Sequence, residues 1–330
     1  MTRMTRMGLL EIARLISEKD NIAVVTHVAP DGDAVGCTLA MVLGLRSLGK
    51  NAVVISRDKA PDNLTFLTLY EEYTGTSPKI PKESGLLIAL DCGNLDRLSL
   101  DLDSVGTVPV VNIDHHLSND MYGVENHVDT KASATAEIVY RLLRLMGVTI
   151  TKGIAESLYA GIVADCGSFS FESTTGETHI IAKELMETGI DFPMIHRVLF
   201  KTRDFARLKL MGKALQSLEE RMDGFVTFMY LNAEDFNSLS ISDRDSGDIV
   251  NYGLESKTCD VSVLLKEAEG FFRVSIRTKS LLDARAICEV FGGGGHVRAA
   301  GGNIKAADVE DAKRQILMIV ERMLPDGRCD

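Results

Sequence analysis

Carboxylates and three imidazoles stand in four separated groups at the ends of apolar runs in this sequence. His27, Asp31 and Asp33 follow the run 22–26, and Asp91 closes the run 85–91. Asp114, His115 and His116 close the run 108–114, and Asp165 follows the apolar stretch 154–163. Like charges gathered this way repel and raise one another's pKa unless cations intervene. Divalent metals resolve the conflict. Mixed oxygen and nitrogen ligation suits Mn2+ best, with Mg2+, Fe2+, Co2+ and Zn2+ as alternatives. A ligand set without thiolates argues against a structural zinc site. Two ions about 3.5–4 Å apart would generate a hydroxide and clamp a phosphoryl group during in-line attack. Each residue taken singly has an ordinary reading: His27 and Asp31 as loop residues, Asp33 as the N-cap of a helix at Ala34, Asp91 as a turn cap, Asp114-His115-His116 as a solvated strand end. Their coincidence at four matched element ends argues for a site.

The elements that must position them read as alternating strands and helices. Residues 22–26 are a short apolar, β-branched run of the kind that forms a buried strand, and 51–56, 85–91 and 108–114 read as further strands. Residues 34–48 read as a helix stopped by Gly49, 133–146 as a helix stopped by Gly147, and 154–163 as another. Residues 64–73 read as a short helix. The pattern predicts an α/β fold, a doubly wound and mostly parallel sheet. Ligands of such sheets bind beyond the carboxyl ends of the strands, which is where the acids and histidines fall. Residues 178–218 read as largely helical. Strands are expected at 225–231, 261–266 and 271–278, the last two flanking a hairpin. A helix over 283–291 with Asp283 near its N-cap and a closing helix over 307–323 complete a smaller α+β domain. The division expected is 1–190 for the first domain, 191–218 for a helical connector and 219–330 for the second.

Composition narrows the function. The chain has 36 basic and 47 acidic residues, net −11, which argues against coating long nucleic acid, since that needs a basic, counterion-releasing surface. Short anionic ligands held in a local pocket fit. No apolar run reaches the roughly 18 residues of a membrane helix. The N-terminal Met-Thr-Arg repeat lacks the apolar core of a secretory signal. The six cysteines, Cys37, Cys92, Cys166, Cys259, Cys288 and Cys329, are scattered without a C-x-x-C pair and read as reduced thiols of a cytoplasmic protein. Cys37, Cys92 and Cys166, close to the acids, read as small buried side chains. In the second half, Gly292 to Gly295 allow backbone conformations closed to other residues, and the N–H groups of Gly293, Gly294 and Gly295 suit a phosphate-binding concavity. His296 follows at the start of an expected short helix, where an anion is also favoured. Arg298 reads equally as a phosphate contact or a surface charge.

The motifs His27-x-x-Pro30-Asp31-Gly32-Asp33, Asp91, Asp114-His115-His116 and Asp165 resemble, in this order, those of the DHH phosphoesterase family. Gly293-Gly294-Gly295-His296 with Ala299-Ala300-Gly301 resembles the glycine-rich motif of the family's first type of associated C-terminal domain. Together the resemblance covers nearly the whole chain, and it is strongest to the nano-RNase and pAp phosphatase group. It implies a catalytic domain and a substrate domain with the active site in the cleft between them. His27 and Asp31 would hold one metal, Asp33, His115 and Asp165 the other, and Asp91 would bridge them. His116 would face the phosphate as electrophile or proton donor, with Asp114 orienting a histidine behind it. Arg277-Thr278-Lys279 matches the family's Arg-Ser-Lys pattern, with threonine for serine, whose arginine contacts substrate phosphate. Arg97 matches the arginine after the second motif, and Ser133 stands where a helix cap near the metals is expected. His127, His179 and His196 fit no motif and read as structural.

The function so implied is hydrolysis of RNA oligonucleotides of two to five nucleotides to 5′-mononucleotides, and of pAp to AMP and phosphate. The partners are short RNA and small nucleotides such as pAp and pApA, without long duplex or membrane, and a homodimer is left open. A cyclic di-AMP or pApA phosphodiesterase keeps the chemistry with another substrate. A non-catalytic nucleotide-binding module fits poorly, because every ligand position is filled. A dinucleotide-dependent oxidoreductase fits worse, since no G-x-G-x-x-G follows the first strand.

Overall fold

The parallel strands form where β-branched runs can be buried on both faces. The computed structural model describes residues 5–6, 8–242 and 246–324. Cys329 and most of the N-terminal Met-Thr-Arg repeat lie outside the described residues. The chain divides into two compact units, Met1–Thr202 and Arg203–Asp330.

The first unit is built on a six-stranded parallel sheet: β1 (Thr5–Arg6), β2 (Ile22–Val25), β3 (Ala52–Ile55), β4 (Leu86–Leu90), β5 (Val110–Asp114) and β6 (Glu125–Val128). Their spatial order is β1-β6-β5-β4-β2-β3. From β2 the chain moves outward to β3, then returns to place β4 on the other side of β2, with Ile22 beside both Ala52 and Leu86. The carboxyl ends of β2 and β4 therefore flank the point where strand order reverses, the usual ligand site of an open α/β sheet.

One face of the sheet packs against α1 (Leu9–Ser17), α2 (Gly32–Ser47), α3 (Thr135–Leu145), α4 (Lys152–Asp165) and α5 (Gly176–Met186) in a single core. The other face, with Ala23, Val25, Leu87 and Ala89, is covered by irregular chain carrying Ile80, Leu98 and Leu100. The helix expected over 64–73 is instead two single 3-10 turns, Asp62–Leu64 and Tyr70–Glu72, because Leu69 adopts a left-handed backbone with φ 69° that interrupts it. Helix α1 and strand β6 were not expected. The polar Glu-Asn-His-Val of β6 hides its strand character: Asn126 is buried through side-chain bonds to Gly123, which no alternation of apolar residues signals.

Helices α2 and α4 touch backbone to backbone. A Cβ on Gly36 would fall 2.4 Å from the Ser157 carbonyl oxygen, and one on Gly32 would fall 2.6 Å from Ala164 Cβ. Gly36→Ala is expected to destabilise the protein by about 1–2 kcal/mol, overpacking offset in part by better helix propensity. A lower urea midpoint at unchanged slope would report it; an unchanged midpoint would mean the two helices separate without cost.

The first unit closes with α6 (Phe192–His196), which runs into a π-turn at Arg197–Lys201. In the second unit, α7 (Phe205–Gln216) leads into a mixed sheet of β7 (Glu219–Arg221), β8 (Val226–Leu231), β9 (Val261–Ala268), β10 (Phe271–Thr278), β11 (Gly294–His296) and β12 (Ala299–Ile304). The order is β11-β12-β10-β9-β8-β7, with only the β8–β9 pair parallel. The hairpin between β9 and β10 turns at Glu269-Gly270, where Gly270 supplies φ 80°. One face packs against α9 (Ala284–Glu289), N-capped by Asp283, and α10 (Val309–Met323). The other packs against α7 and α8 (Ala233–Asn237). No helix of the described residues is long and apolar enough to cross a membrane.

Candidate metal centre and substrate residues

Strand β2 delivers His27, and a loop with Ala29 at φ 52° carries the chain to Asp31. Asp31, not Asp33, is the N-cap of α2: its carboxylate accepts from the Asp33 and Ala34 N–H groups at 3.1 Å. Asp33 is thereby turned inward. Its two oxygens accept from the Thr135 N–H at 2.6 Å and the Ala136 N–H at 3.0 Å, at the N-terminus of α3. A helix start offers unpaired donors and a positive dipole end, so it suits a carboxylate. Gly161 leaves the room: a Cβ there would stand 2.8 Å from the Asp33 carboxylate. Ser133 is not the cap of α3. Ala134 holds that position, and the Ser133 hydroxyl donates to Glu137.

Asp91 ends β4 in a left-handed conformation, φ 53°, and accepts from the Thr135 hydroxyl at 2.9 Å. Around it stand three imidazoles. His27 Nε2, His115 Nε2 and His116 Nδ1 each lie 3.7 Å from an Asp91 oxygen, and His115 Nε2 lies 3.3 Å from Asp165. Backbone carbonyls fix two of these rings: His27 Nδ1 donates to Val28 O at 2.9 Å and His115 Nδ1 to Ala132 O at 3.2 Å. A carbonyl only accepts, so both Nε2 atoms are left free to ligate. His116 Nδ1 is held by Asp114 at 2.8 Å, and Asp114 also takes the His115 N–H at 2.8 Å and the Asn119 amide at 2.6 Å.

The ionisation pattern reflects this crowding. Burial first, then the Asp91, Asp165 and Asp31 charges, hold the Asp33 carboxyl well above the usual carboxylate range. Asp165 is pushed up to about 6 by burial, with His115 opposing and Asp91 and Asp31 adding to the rise. His116 is raised to about 9, chiefly by its hydrogen bond to Asp114. Asp114 is itself lowered: burial works against its charge, and the His116 and Asn119 hydrogen bonds outweigh it. For His27, burial opposes the charge, and the hydrogen bonds to Asp91 and Val28 raise its pKa nevertheless.

Ligand atoms lie within 4.8 Å of one another in three sets: His27, Asp31 and Asp91; Asp33, His115 and Asp165; and Asp91, His115 and His116. Buried carboxylates in excess of nearby positive charge, faced by imidazole Nε2 lone pairs, are a donor set that fits divalent cations. A pocket of about 420 Å³ opens beside them, lined by His27, Asp31, Asp91, Asn94, Arg97 and His116 among others. Arg97 thus joins the acidic residues in one pocket. Asn94, Ser118 and Asp120, also in its lining, were not anticipated, and neither were Asn119 and the hydroxyl of Thr135. The only signal for Thr135 was its place at the start of the helix expected over 133–146. The five cysteines among the described residues are free and buried. Burial raises the pKa of Cys37, Cys92 and Cys166, which keeps them as neutral thiols beside the acids.

In the second unit the half-buried Arg277 donates to Ile276 O at 3.0 Å, and burial lowers its pKa. Lys279 donates to Ser256 O at 2.9 Å and Arg298 to Leu282 O at 3.0 Å. His296 does not begin a helix. It is exposed on strand β11, which pairs with β12 through the two-residue turn Val297-Arg298. The glycines permit this hairpin: a Cβ on Gly293 would meet the Gly301 carbonyl at 2.3 Å, and Gly295 has φ 146° and faces the Ala299 carbonyl.

A parallel sheet whose carboxyl edge gathers acids and imidazoles at the strand-order reversal, followed in the chain by a mixed-sheet α+β unit, is the architecture of a phosphoesterase class. The chain belongs to the DHH family: residues 21–162 match the DHH family N-terminal domain and 223–322 match the DHHA1 domain. It is 35% identical, over 95% of both chains, to the bifunctional oligoribonuclease and PAP phosphatase NrnA of Thermus thermophilus. It is 27% identical to the Bacillus subtilis protein of that name, over 91% of this chain and 95% of the relative. Among solved structures, an exopolyphosphatase-related protein from Bacteroides fragilis superposes with TM-score 0.83 at 29% identity, covering 96% of this chain and 97% of the other.

Proposed function

We propose that this protein is a metal-dependent phosphoesterase that hydrolyses RNA oligonucleotides a few residues long to 5′-mononucleotides and pAp to AMP and phosphate. The observation that carries the reading is the convergence of Asp31, Asp33, Asp91 and Asp165 on the Nε2 atoms of His27 and His115, beside a pocket holding Arg97 and His116. His27, Asp31 and Asp91 would hold one divalent ion and Asp33, His115 and Asp165 a second, with Asp91 shared. When bound, the ions, Mn2+ first among the candidates, supply Lewis acidity and offset the carboxylate charge.

The chain's own groups do the rest. Asp114 keeps His116 protonated and fixes its ring, so that Nε2–H points away from Asp114 and donates to a phosphate oxygen. Arg97 pairs with the same phosphate through its guanidinium. Arg277, Lys279, Arg298, His296 and the backbone of Gly293, Gly294 and Gly295 grip the remaining nucleotide and phosphates. The net charge of −11 favours small anions over long polymers. The free cysteines suit a reducing, cytoplasmic setting.

The test offers pAp, a 5′-phosphorylated dinucleotide, pApA and cyclic di-AMP in parallel to Mn2+-loaded protein. Mononucleotide release from pAp and the dinucleotide is expected. Preferred opening of cyclic di-AMP would move the protein to second-messenger turnover, and inertness on all four would remove the reading. Arg277→Ala is expected to raise KM about tenfold or more with kcat within twofold, as loss of a charged phosphate contact predicts. A fall in kcat at constant KM would instead put Arg277 in the chemistry.

A further inference from the structure

His116 faces the pocket with 46% of its side chain exposed. The His115 ring touches it edge-on, and Asp91 stands 3.7 Å from its Nδ1, beyond hydrogen-bond reach. Its orientation therefore depends on Asp114, which is fully buried behind it. One oxygen of that carboxylate, Oδ1, accepts from the His115 backbone N–H and from His116 Nδ1, both at 2.8 Å. Two bonds at one oxygen pin one edge of the carboxylate. A bond at Oδ2 is what fixes its plane, and that bond comes from the Asn119 side-chain amide at 2.6 Å.

Asn119 is itself held in one sense. The Met121 N–H donates to its Oδ1 at 2.7 Å, and only the oxygen of an amide accepts, so the NH2 group must face Asp114. The second amide hydrogen goes to Asn112 Oδ1 at 2.8 Å. Asn112 is fully buried in β5, and its own amide donates to the Cys92 carbonyl and to the Tyr122 hydroxyl, each at 3.1 Å. The Tyr122 hydroxyl donates to the same Cys92 carbonyl at 3.0 Å. A backbone carbonyl only accepts, so every direction along this line is forced. Cys92 orients Asn112, Asn112 orients Asn119, Asn119 orients Asp114, and Asp114 orients His116. The line begins one residue after Asp91 and ties the end of β4 to the end of β5. Both amides have all their polar atoms paired, as a buried network must. Ser118 and Asp120 line the pocket on either side, whereas Asn119 turns behind it and belongs to none of the three candidate ligand sets.

We infer that Asn119, oriented by Asn112, is a positioning residue of the reaction: its amide fixes the Asp114 carboxylate so that the His116 ring presents Nε2–H to the phosphate. The inference rests on the role given to His116 in the phosphoesterase reading above.

Asn119→Ala is expected to lower kcat on pAp about 10- to 100-fold with KM within about threefold. Calorimetric titration should still count the wild-type number of Mn2+ ions per chain. Asn119→Ser separates orientation from loop shape. A serine hydroxyl can still accept the Met121 N–H and keep the turn, but it is too short to hold Asp114, so this variant should be as impaired as the alanine one. Proton NMR of the metal-free full chain supplies a readout independent of turnover. The His116 Nδ1–H, held on a carboxylate, should give a downfield resonance in slow exchange with water in the wild type. It should move upfield or exchange away in both variants. Wild-type activity in Asn119→Ser, loss of an Mn2+ ion, or an unchanged ring N–H would each overturn the inference. The first would make Asn119 a turn residue only, the second would place its effect at the metals, and the third would leave His116 oriented without it. Wild-type protein that turns over neither the dinucleotide nor pAp would remove the functional reading, while the NMR comparison would still decide whether Asn119 positions His116.

Discussion

Asp91→Asn is expected to lower kcat/KM by about 10³-fold or more, about 4 kcal/mol of transition-state stabilisation, and to leave the metal-free protein folded. The substitution isolates charge. Asparagine tolerates the left-handed backbone that Asp91 adopts at φ 53°, and its carbonyl oxygen still accepts the Thr135 hydroxyl that now bonds Asp91 at 2.9 Å. What goes is the one carboxylate that faces His27, His115 and His116 together at 3.7 Å. The shared position assigned to Asp91 then predicts a second readout: calorimetric titration should count fewer Mn2+ ions per chain than in the wild type. Activity within tenfold of wild type, with the ion count unchanged, would remove Asp91 from the centre of the assignment. Asp33→Ala is a poorer test, because it strands two buried N–H groups at the start of α3, at about 1–3 kcal/mol each.

Much of this arrangement was legible before any coordinates. The strands β2 and β4 announce themselves as uninterrupted apolar runs, because both faces are buried, and β5 does so but for the buried Asn112. The acids follow directly from those runs, so their common edge follows from a parallel sheet alone. What stayed hidden depends on contacts between distant segments. That Asp31 caps α2 while Asp33 turns inward is decided by the N-terminus of α3, a hundred residues away. Gly36 and Gly161 look like ordinary helix residues until α2 and α4 meet. The hairpin at His296 was mistaken for a helix start because a glycine run permits both, and pairing with Ala299 to Gly301 selects the strand.

The charge crowding also fixes how the protein should melt. Asp165 is raised from 3.8 to about 6, and Asp33 is raised in the same direction. His116 is raised from 6.5 to about 9, and His27 is raised as well. In each case the fold holds a proton that the unfolded chain has already released, so stability falls as pH climbs from the unfolded value through the folded one. The carboxyls act from about pH 4 upward and the histidines from about pH 6.5 to 9. Asp114, which is lowered, acts oppositely, and its contribution is lost only in acid below its ordinary value. Chelated protein should therefore melt about 5–10 °C lower near pH 8.5 than near pH 5.5. Divalent ions compete with those same protons, so the rise in Tm on adding Mn2+ should be small near pH 5.5 and largest near pH 8.5. Scanning calorimetry of the full chain, with and without chelator at both pH values, reads both effects. A chelated Tm that is flat or rising across this range would mean that the carboxylates are compensated without metal. An Mn2+ increment that ignores pH would place the ions elsewhere than on Asp33, Asp91 and Asp165.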